Sequence, residues 1–229
     1  MTIIKYLLIT AMLIAVAFIS GCTSMHRNLT TEPEHDQKIS PKRGDAYLFD
    51  ITVDRNGRKN SARLDIYQSG DSLSFFARGY LGKGVIKGLL VADSVMAYFP
   101  TENQFYSGEI MALLKDSCSG DFRMERLILE LFRGVPPEAK EARKHLEITV
   151  IKDTPQIKEY RLSWGNGMFE MRLSYDFVKG QYIISGFEYI SSINHLRFQA
   201  ERRNLKQNVT LPPEKFLILI PETAARIYP

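Results

Sequence analysis

Reactive side chains are scarce in this sequence, and cysteine is the scarcest, with only Cys22 and Cys118. Cys22 closes the stretch Ala17-Phe18-Ile19-Ser20-Gly21-Cys22, where an apolar run meets two small residues. Cys118 lies in the polar stretch "DSCSGD". A catalytic thiol needs a histidine base nearby in space. His145 and His195 are present, but nothing around Cys118 forms a nucleophile motif. Gly79, Gly82, Gly84 and Gly88 crowd one short segment without the lysine and helix start of a phosphate loop, so they read as sheet kinks or bulges. No metal-ligand spacing and no carboxylate pair with catalytic context occurs. The sequence therefore predicts no enzyme, no cofactor and no metal site.

The chemistry that Cys22 does suggest is acylation. Lys5 precedes the uncharged run Tyr6–Ile19, whose length suits the apolar part of a signal peptide and falls short of the ~20 residues of a membrane span. Ser20-Gly21 supplies the small side chains that a signal-processing peptidase accepts. Ile19-Ser20-Gly21-Cys22 resembles the bacterial lipobox, in which the cysteine becomes the first residue of the mature chain and carries acyl groups. The competing reading is an ordinary cleaved signal peptide with an incidental cysteine. One acyl chain gives marginal membrane binding, whereas two or three hold firmly at ~0.8 kcal/mol per buried methylene. Thr23 and Ser24 follow the cysteine instead of aspartate, which by resemblance to enterobacterial sorting rules points to the outer membrane, facing the periplasm.

Three segments follow from this: a signal peptide over 1–21, a lipidated tether over 22–44, and one domain over 45–229. Thr23–Gly44 is polar, contains Pro33 and Pro41, and has no apolar period; as a flexible coil it spans roughly 25 Å. The remaining chain is long enough to bury a substantial core. A net charge of +4 is too small to argue for nucleic acid. The groups Lys140/Arg143/Lys144 and Arg202/Arg203/Lys206 read as solvated faces that can touch anionic headgroups. If Cys22 is acylated, Cys118 has no partner for an internal disulfide. Asn28 and Asn208 lie in Asn-x-Thr sequons, which matter only in a eukaryotic secretory pathway.

The domain must then build whatever surface the anchor presents. Alternation at period two dominates it. Phe49, Ile51 and Val53 share one face, Asn56-Gly57 is a strong hairpin signal, and Ala62, Leu64 and Ile66 return on a second strand. Phe75 and Ala77 share a face against Phe76 and Tyr80. Tyr160, Leu162 and Trp164 oppose Glu159, Arg161 and Ser163; Phe169, Met171, Leu173 and Tyr175 oppose Glu170, Arg172 and Ser174. Phe122–Phe132 has helical spacing, with Asp121 as N-cap and Gly134 and Pro136 closing it. "FLILI" over Phe216–Ile220 reads as a closing strand. The count is about ten strands and one helical insert. A long antiparallel sheet with one wet and one dry face must curl. The expected fold is mainly β: a curled antiparallel sheet forming a half-open barrel, with the helical insert as its lid.

The order of Leu81-Gly82, a strand ending near Asp93-Ser94, Tyr106-Ser107-Gly108, Leu131-Phe132-Arg133-Gly134 with Pro136 behind it, and the tail "EKFLILIPETAARIYP" resembles the lipoprotein-localisation (Lol) superfamily of carriers and receptors. It is most similar to a LolB-like branch of bacterial lipoproteins. The resemblance implies an incomplete barrel capped by helices around an apolar cavity for acyl chains. It also implies an exposed apolar residue on a membrane-contact loop, near Leu81–Leu90, with Val85 and Ile86 as candidates. Arg63 and Arg78 are the candidates for a lid-locking arginine.

The function expected is an anchored lipoprotein that binds acyl chains of lipoproteins or other amphiphiles for transfer or localisation in the envelope. The cavity-wall candidates are Phe75, Leu89, Leu127, Leu131, Trp164, Phe169, Met171 and Leu173. Ordinary core packing is the competing reading for each of them taken singly. The alternative is a structural or assembly lipoprotein that uses the same fold to dock an envelope protein partner.

Overall fold

A computed structural model describes residues 42–79, 82–91, 94–109, 146–164, 166–193 and 195–228. The signal segment with Cys22, nearly all of the expected tether, Cys118, and the expected helix with Leu127 and Leu131 lie outside the described residues.

Twelve strands are described, and all belong to one sheet. The first six run in chain order: β1 (Lys42–Arg55), β2 (Arg58–Ser69), β3 (Ser72–Arg78), β4 (Gly84–Val91), β5 (Ser94–Phe99) and β6 (Gln104–Glu109). The next five are β7 (Leu146–Asp153), β8 (Ile157–Trp164), β9 (Phe169–Val178), β10 (Gln181–Ser191) and β11 (Leu196–Leu211), and β12 (Ala225–Arg226) is a short last piece. The order across the sheet is β12-β6-β5-β4-β3-β2-β1-β11-β10-β9-β8-β7. Two antiparallel meanders, β1–β6 and β7–β11, therefore meet at a central seam where β1 pairs with β11. The margins β12/β6 and β7 do not meet, so the curled sheet stays unclosed, in agreement with the expected half-barrel.

Local chemistry explains the hairpins. Asn56 and Gly57 both have positive φ (52° and 78°), the conformation of a two-residue turn whose twist matches the strands it joins. Asp54 Oδ1 accepts the Gly57 N–H at 3.0 Å and fixes that turn. Asn166 and Gly167 repeat the device between β8 and β9 (φ 56° and 79°).

Register then decides which residues share the dry face. Tyr106 and Ala97 stand opposite one another, as do Gly88 and Phe75, Ile66 and Tyr47, Phe187 and Leu173, and Leu162 and Met171. The row is apolar from β6 to β8, and Phe49, Leu64, Ile66, Leu73, Phe75, Leu90, Leu162, Leu173 and Phe198 within it are fully buried. Burying one such side chain contributes about 1.5–3 kcal/mol, so this face holds the fold together.

Three expectations are corrected. β1 begins at Lys42, inside the segment read as tether. The stretch "FLILI" is not a strand: Pro213–Phe216 forms a short 3-10 turn, and Leu217–Ile220 runs on in irregular conformation. Val85 and Ile86 are not on a loop; they lie in β4, where Ile86 is buried on the dry face.

The tail after β11 is a strap across the outer face of β1–β6. Ser74 Oγ donates to the Lys215 carbonyl, and Lys215 Nζ lies 4.9 Å from the centre of the Tyr67 ring. Lys42 Nζ sits 5.0 Å from the Phe216 ring centre. Further on, Asn103 Nδ2 donates to the Thr223 carbonyl at 3.0 Å, and β12 pairs with β6 in parallel.

Candidate functional site

The candidate site is the dry face of β8, β9 and β10. Period-two alternation in these strands sends every second side chain inward. Trp164 stacks on Phe169 with ring centres 5.7 Å apart and meets Tyr189 at 6.2 Å. Tyr160 meets Tyr175 edge-on at 6.1 Å. Met171 stands opposite Leu162 on one side and Tyr189 on the other; Leu173 stands opposite Tyr160 and Phe187. Four of the expected wall residues, Trp164, Phe169, Met171 and Leu173, therefore come together. Across the seam the row continues through Phe187, Phe198 and Phe49, with Phe187 5.7 Å from Phe198 and 5.6 Å from Phe49.

Two wall candidates stand apart from these four. Phe75 shares the dry face but lies in the other meander, with its ring over Gly88. Leu89 is on the opposite face: it pairs with Ser74, whose hydroxyl holds the strap. Leu89 therefore belongs to the layer beneath the strap and not to the wall that contains Phe75.

The apolar face holds a buried polar atom without a partner among the described residues. The indole Nε1 of Trp164 is buried and has no acceptor among the described residues. A buried donor left unsatisfied costs ~1–3 kcal/mol, so an acceptor supplied from outside the sheet would be bound favourably here.

Beside the apolar face, Arg202 is committed to structure. Pairing of β10 with β11 stops at Gly186–Glu201, leaving the carbonyls of Ile183 and Ile184 facing the gap. Arg202, from β11, fills it: its Nη1 donates to both carbonyls (3.3 and 2.6 Å) and its Nη2 to Asp176 at 2.7 Å. The nearby Tyr47 phenol is pushed well above its ordinary value by burial, with the Asp45 charge adding and Arg202 opposing. Beneath the strap, burial lowers the Lys87 amine, and the neighbouring Lys215 charge lowers it further. The sequence reading missed Arg202 and the strap. Pro212-Pro213 directly after β11 is the signal that marked the end of the sheet.

The two arginines named as lid locks face the polar side. Arg63 reaches Asp50 at 3.9 Å, and Arg78 pairs with Asp65. With Arg203, Asp50, Thr52 and Ser61 they line a recess of about 570 Å³ on the outer face. A second recess, about 540 Å³, lies beside the β1–β2 turn and is lined by Asn56, His195 and Arg197 among others. Among the described residues no group of His, Cys, Asp and Glu is placed to hold a metal ion. No helix of the described residues is long and apolar enough to cross a membrane.

No family model matches the chain, and no curated protein matches it in sequence. Solved structures similar to it include a DUF1329 family protein from Desulfovibrio piger, at 11% identity and a TM-score of 0.45, over 77% of this chain and 90% of that one. A putative outer membrane lipoprotein-sorting protein domain from Vibrio parahaemolyticus is similar at 9% identity and 0.45, over 76% and 88%. In the MucA/MucB complex of Pseudomonas aeruginosa, the matching chain is similar at 6% identity and 0.39, over 77% of this chain and 56% of that one. The class defined by the coordinates is a mainly β protein built on a single curled, unclosed sheet.

Proposed function

We propose that this protein is a bacterial lipoprotein, acylated at Cys22 and held at the outer membrane on its periplasmic side, whose curled sheet receives acyl chains of lipoproteins or other amphiphiles. The observation that carries the reading is an apolar face running across the sheet with a donor inside it, Trp164 Nε1, that has no acceptor among the described residues. An amphiphile matches both properties: its alkyl chain gains ~0.8 kcal/mol per methylene on leaving water, and its ester or amide carbonyl accepts the indole N–H. Trp164, Phe169, Met171 and Leu173 form the wall, with Phe75 across the seam; Leu127 and Leu131, outside the described residues, are proposed as further wall residues. No covalent step is needed.

The test is to purify the full chain from membranes and identify co-purifying amphiphiles by native mass spectrometry and lipid extraction. Trp164→Phe keeps an aromatic ring and removes the N–H together with the pyrrole half of the indole. Losing one hydrogen bond of ~1 kcal/mol predicts roughly fivefold less bound amphiphile. Cys22→Ser is expected to abolish acyl labelling and leave unprocessed precursor; a variant that is processed and fractionates normally removes the anchor from the account.

A second reading is an assembly lipoprotein that docks an envelope protein. The close ring packing of Trp164, Phe169 and Tyr189 favours it, since a filled face needs no cargo. Protein that emerges free of amphiphile but brings down an envelope complex supports this reading over the carrier.

A further inference from the structure

The two margins of the sheet are finished differently. At one margin β12 pairs with β6, and the strap supplies further backbone contacts, Ala225 N–H to the Asn103 carbonyl and Ile227 N–H to the Phe105 carbonyl. At the other margin β7 pairs only with β8, and the outer side of β7 has no backbone partner among the described residues. Its exposed β-branched side chains include Val150 (43% exposed) and Ile151 (51%). A bare edge of this kind is a template for another strand.

The side chains of β7 specify which strand. Leu146, Ile148 and Val150 stand opposite Trp164, Leu162 and Tyr160, so they lie on the dry face; Glu147 and Thr149 stand opposite Ser163 and Arg161 on the wet face. After Val150 the register shifts, and Ile151 is the extra residue. The regular edge is therefore Leu146–Val150: apolar, acidic, apolar, polar, apolar. Paired antiparallel with itself about Ile148, it sets Leu146 against Val150 and Glu147 against Thr149, each on a matching face. Sliding the register by two residues toward the bulge sets Leu146 against Lys152; by four, it sets Glu147 against Asp153, a like-charge pair. Arg161 provides the remaining complement. It is exposed and makes no ion pair among the described residues. In the symmetric pairing Arg161, Thr149 and the second copy's Glu147 fall in one row on the wet face, with the outer two ~10 Å apart at Cα, a gap that a long arginine and a glutamate span.

We propose that β7 is a self-association edge, which joins two copies of this chain through antiparallel pairing of Leu146–Val150 and merges their apolar faces across a two-fold axis at Ile148. The paired segment is short, so the dimer is of the weak, transient kind. The two Glu147–Arg161 pairs fix its register.

The test uses the full chain in a bacterial host, with Cys118→Ser to remove the other thiol. Ile148→Cys places two thiols beside each other at the axis and is expected to give an intermolecular cross-link, with or without a short bifunctional reagent. Leu146→Cys or Val150→Cys alone puts like thiols roughly 14 Å apart and is expected to give none, while the two variants co-expressed cross-link with each other. Arg161→Glu is expected to reduce the Ile148→Cys cross-link about tenfold, the effect of ~1.4 kcal/mol. Adding Glu147→Arg should restore it. Absence of the Ile148→Cys dimer, equal cross-linking at all three positions, or indifference to Arg161→Glu would each overturn the proposal.

Discussion

Gly88 offers the sharpest test of how the dry face is packed. In the middle of a strand, replacing glycine by alanine ordinarily stabilises by ~0.5–1 kcal/mol, because the unfolded chain loses freedom. Here a Cβ would lie 1.9 Å from Phe75 Cζ and 2.4 Å from each Cε of the same ring. Ordinary carbon contacts begin near ~3.5 Å, so the ring must retreat by roughly 1.5 Å. Phe75 has no exposed surface, and its cross-strand neighbour Ile66 is also fully buried, so moving the ring disturbs buried neighbours. Overpacking of this degree costs ~1–3 kcal/mol or more, which exceeds the propensity gain. We therefore expect Gly88→Ala to destabilise by about 2 kcal/mol, seen as a lower urea midpoint at unchanged slope. Phe75→Leu should cost about 1–2 kcal/mol alone by leaving a void. In that background Gly88→Ala should cost almost nothing, a coupling of at least ~1 kcal/mol. Additive effects, or a Gly88→Ala protein more stable than the parent, would refute the packing reasoning.

Arg202→Ala strands two backbone carbonyls at the β10–β11 gap and is expected to cost ~2–4 kcal/mol in urea unfolding, with Arg202→Lys recovering only part because one amine cannot reproduce the fork. Tyr47 should make stability fall at alkaline pH. Its folded value lies above the unfolded ~10, so its contribution is complete below pH ~10 and is lost as pH rises through the folded value, at up to ~1.4 kcal/mol per pH unit. Tyr47→Phe should flatten that slope; an unchanged slope across unfolding curves taken on both sides of pH ~10 would contradict it. Tyr106, also raised by burial, leaves a residual slope in both proteins.

Much of the sheet was legible because it rests on local rules. Asn56-Gly57 and Asn166-Gly167 carry their own turn geometry, and the faces of β8 and β9 follow from strict alternation around Trp164 and Met171. What the sequence concealed comes from long-range contacts. Leu89 and Leu90 are adjacent apolar residues, and alternation alone does not tell which faces inward; the strap lets both faces of β4 be apolar. The same ambiguity made Phe216–Ile220 read as a strand, since an apolar run looks alike in a strand and in an extended strap. Arg202 appeared as one of a surface basic group, whereas the parting of β10 from β11 turns it inward. The grouping of Trp164, Phe169, Met171 and Leu173 was within reach of the sequence, but the exclusion of Leu89 needed the register.

Trp164 is the sole tryptophan and lies in the face proposed to receive acyl chains, so its fluorescence reports on that face alone. The direct measurement is titration of the full chain with a lysophospholipid brominated along its acyl chain, kept below its micelle concentration, against the unbrominated lipid. The account predicts saturable quenching by the brominated lipid only. Emission that stays constant through the titration, while the lipid demonstrably binds the protein, would contradict the claim that the apolar face holds acyl chains.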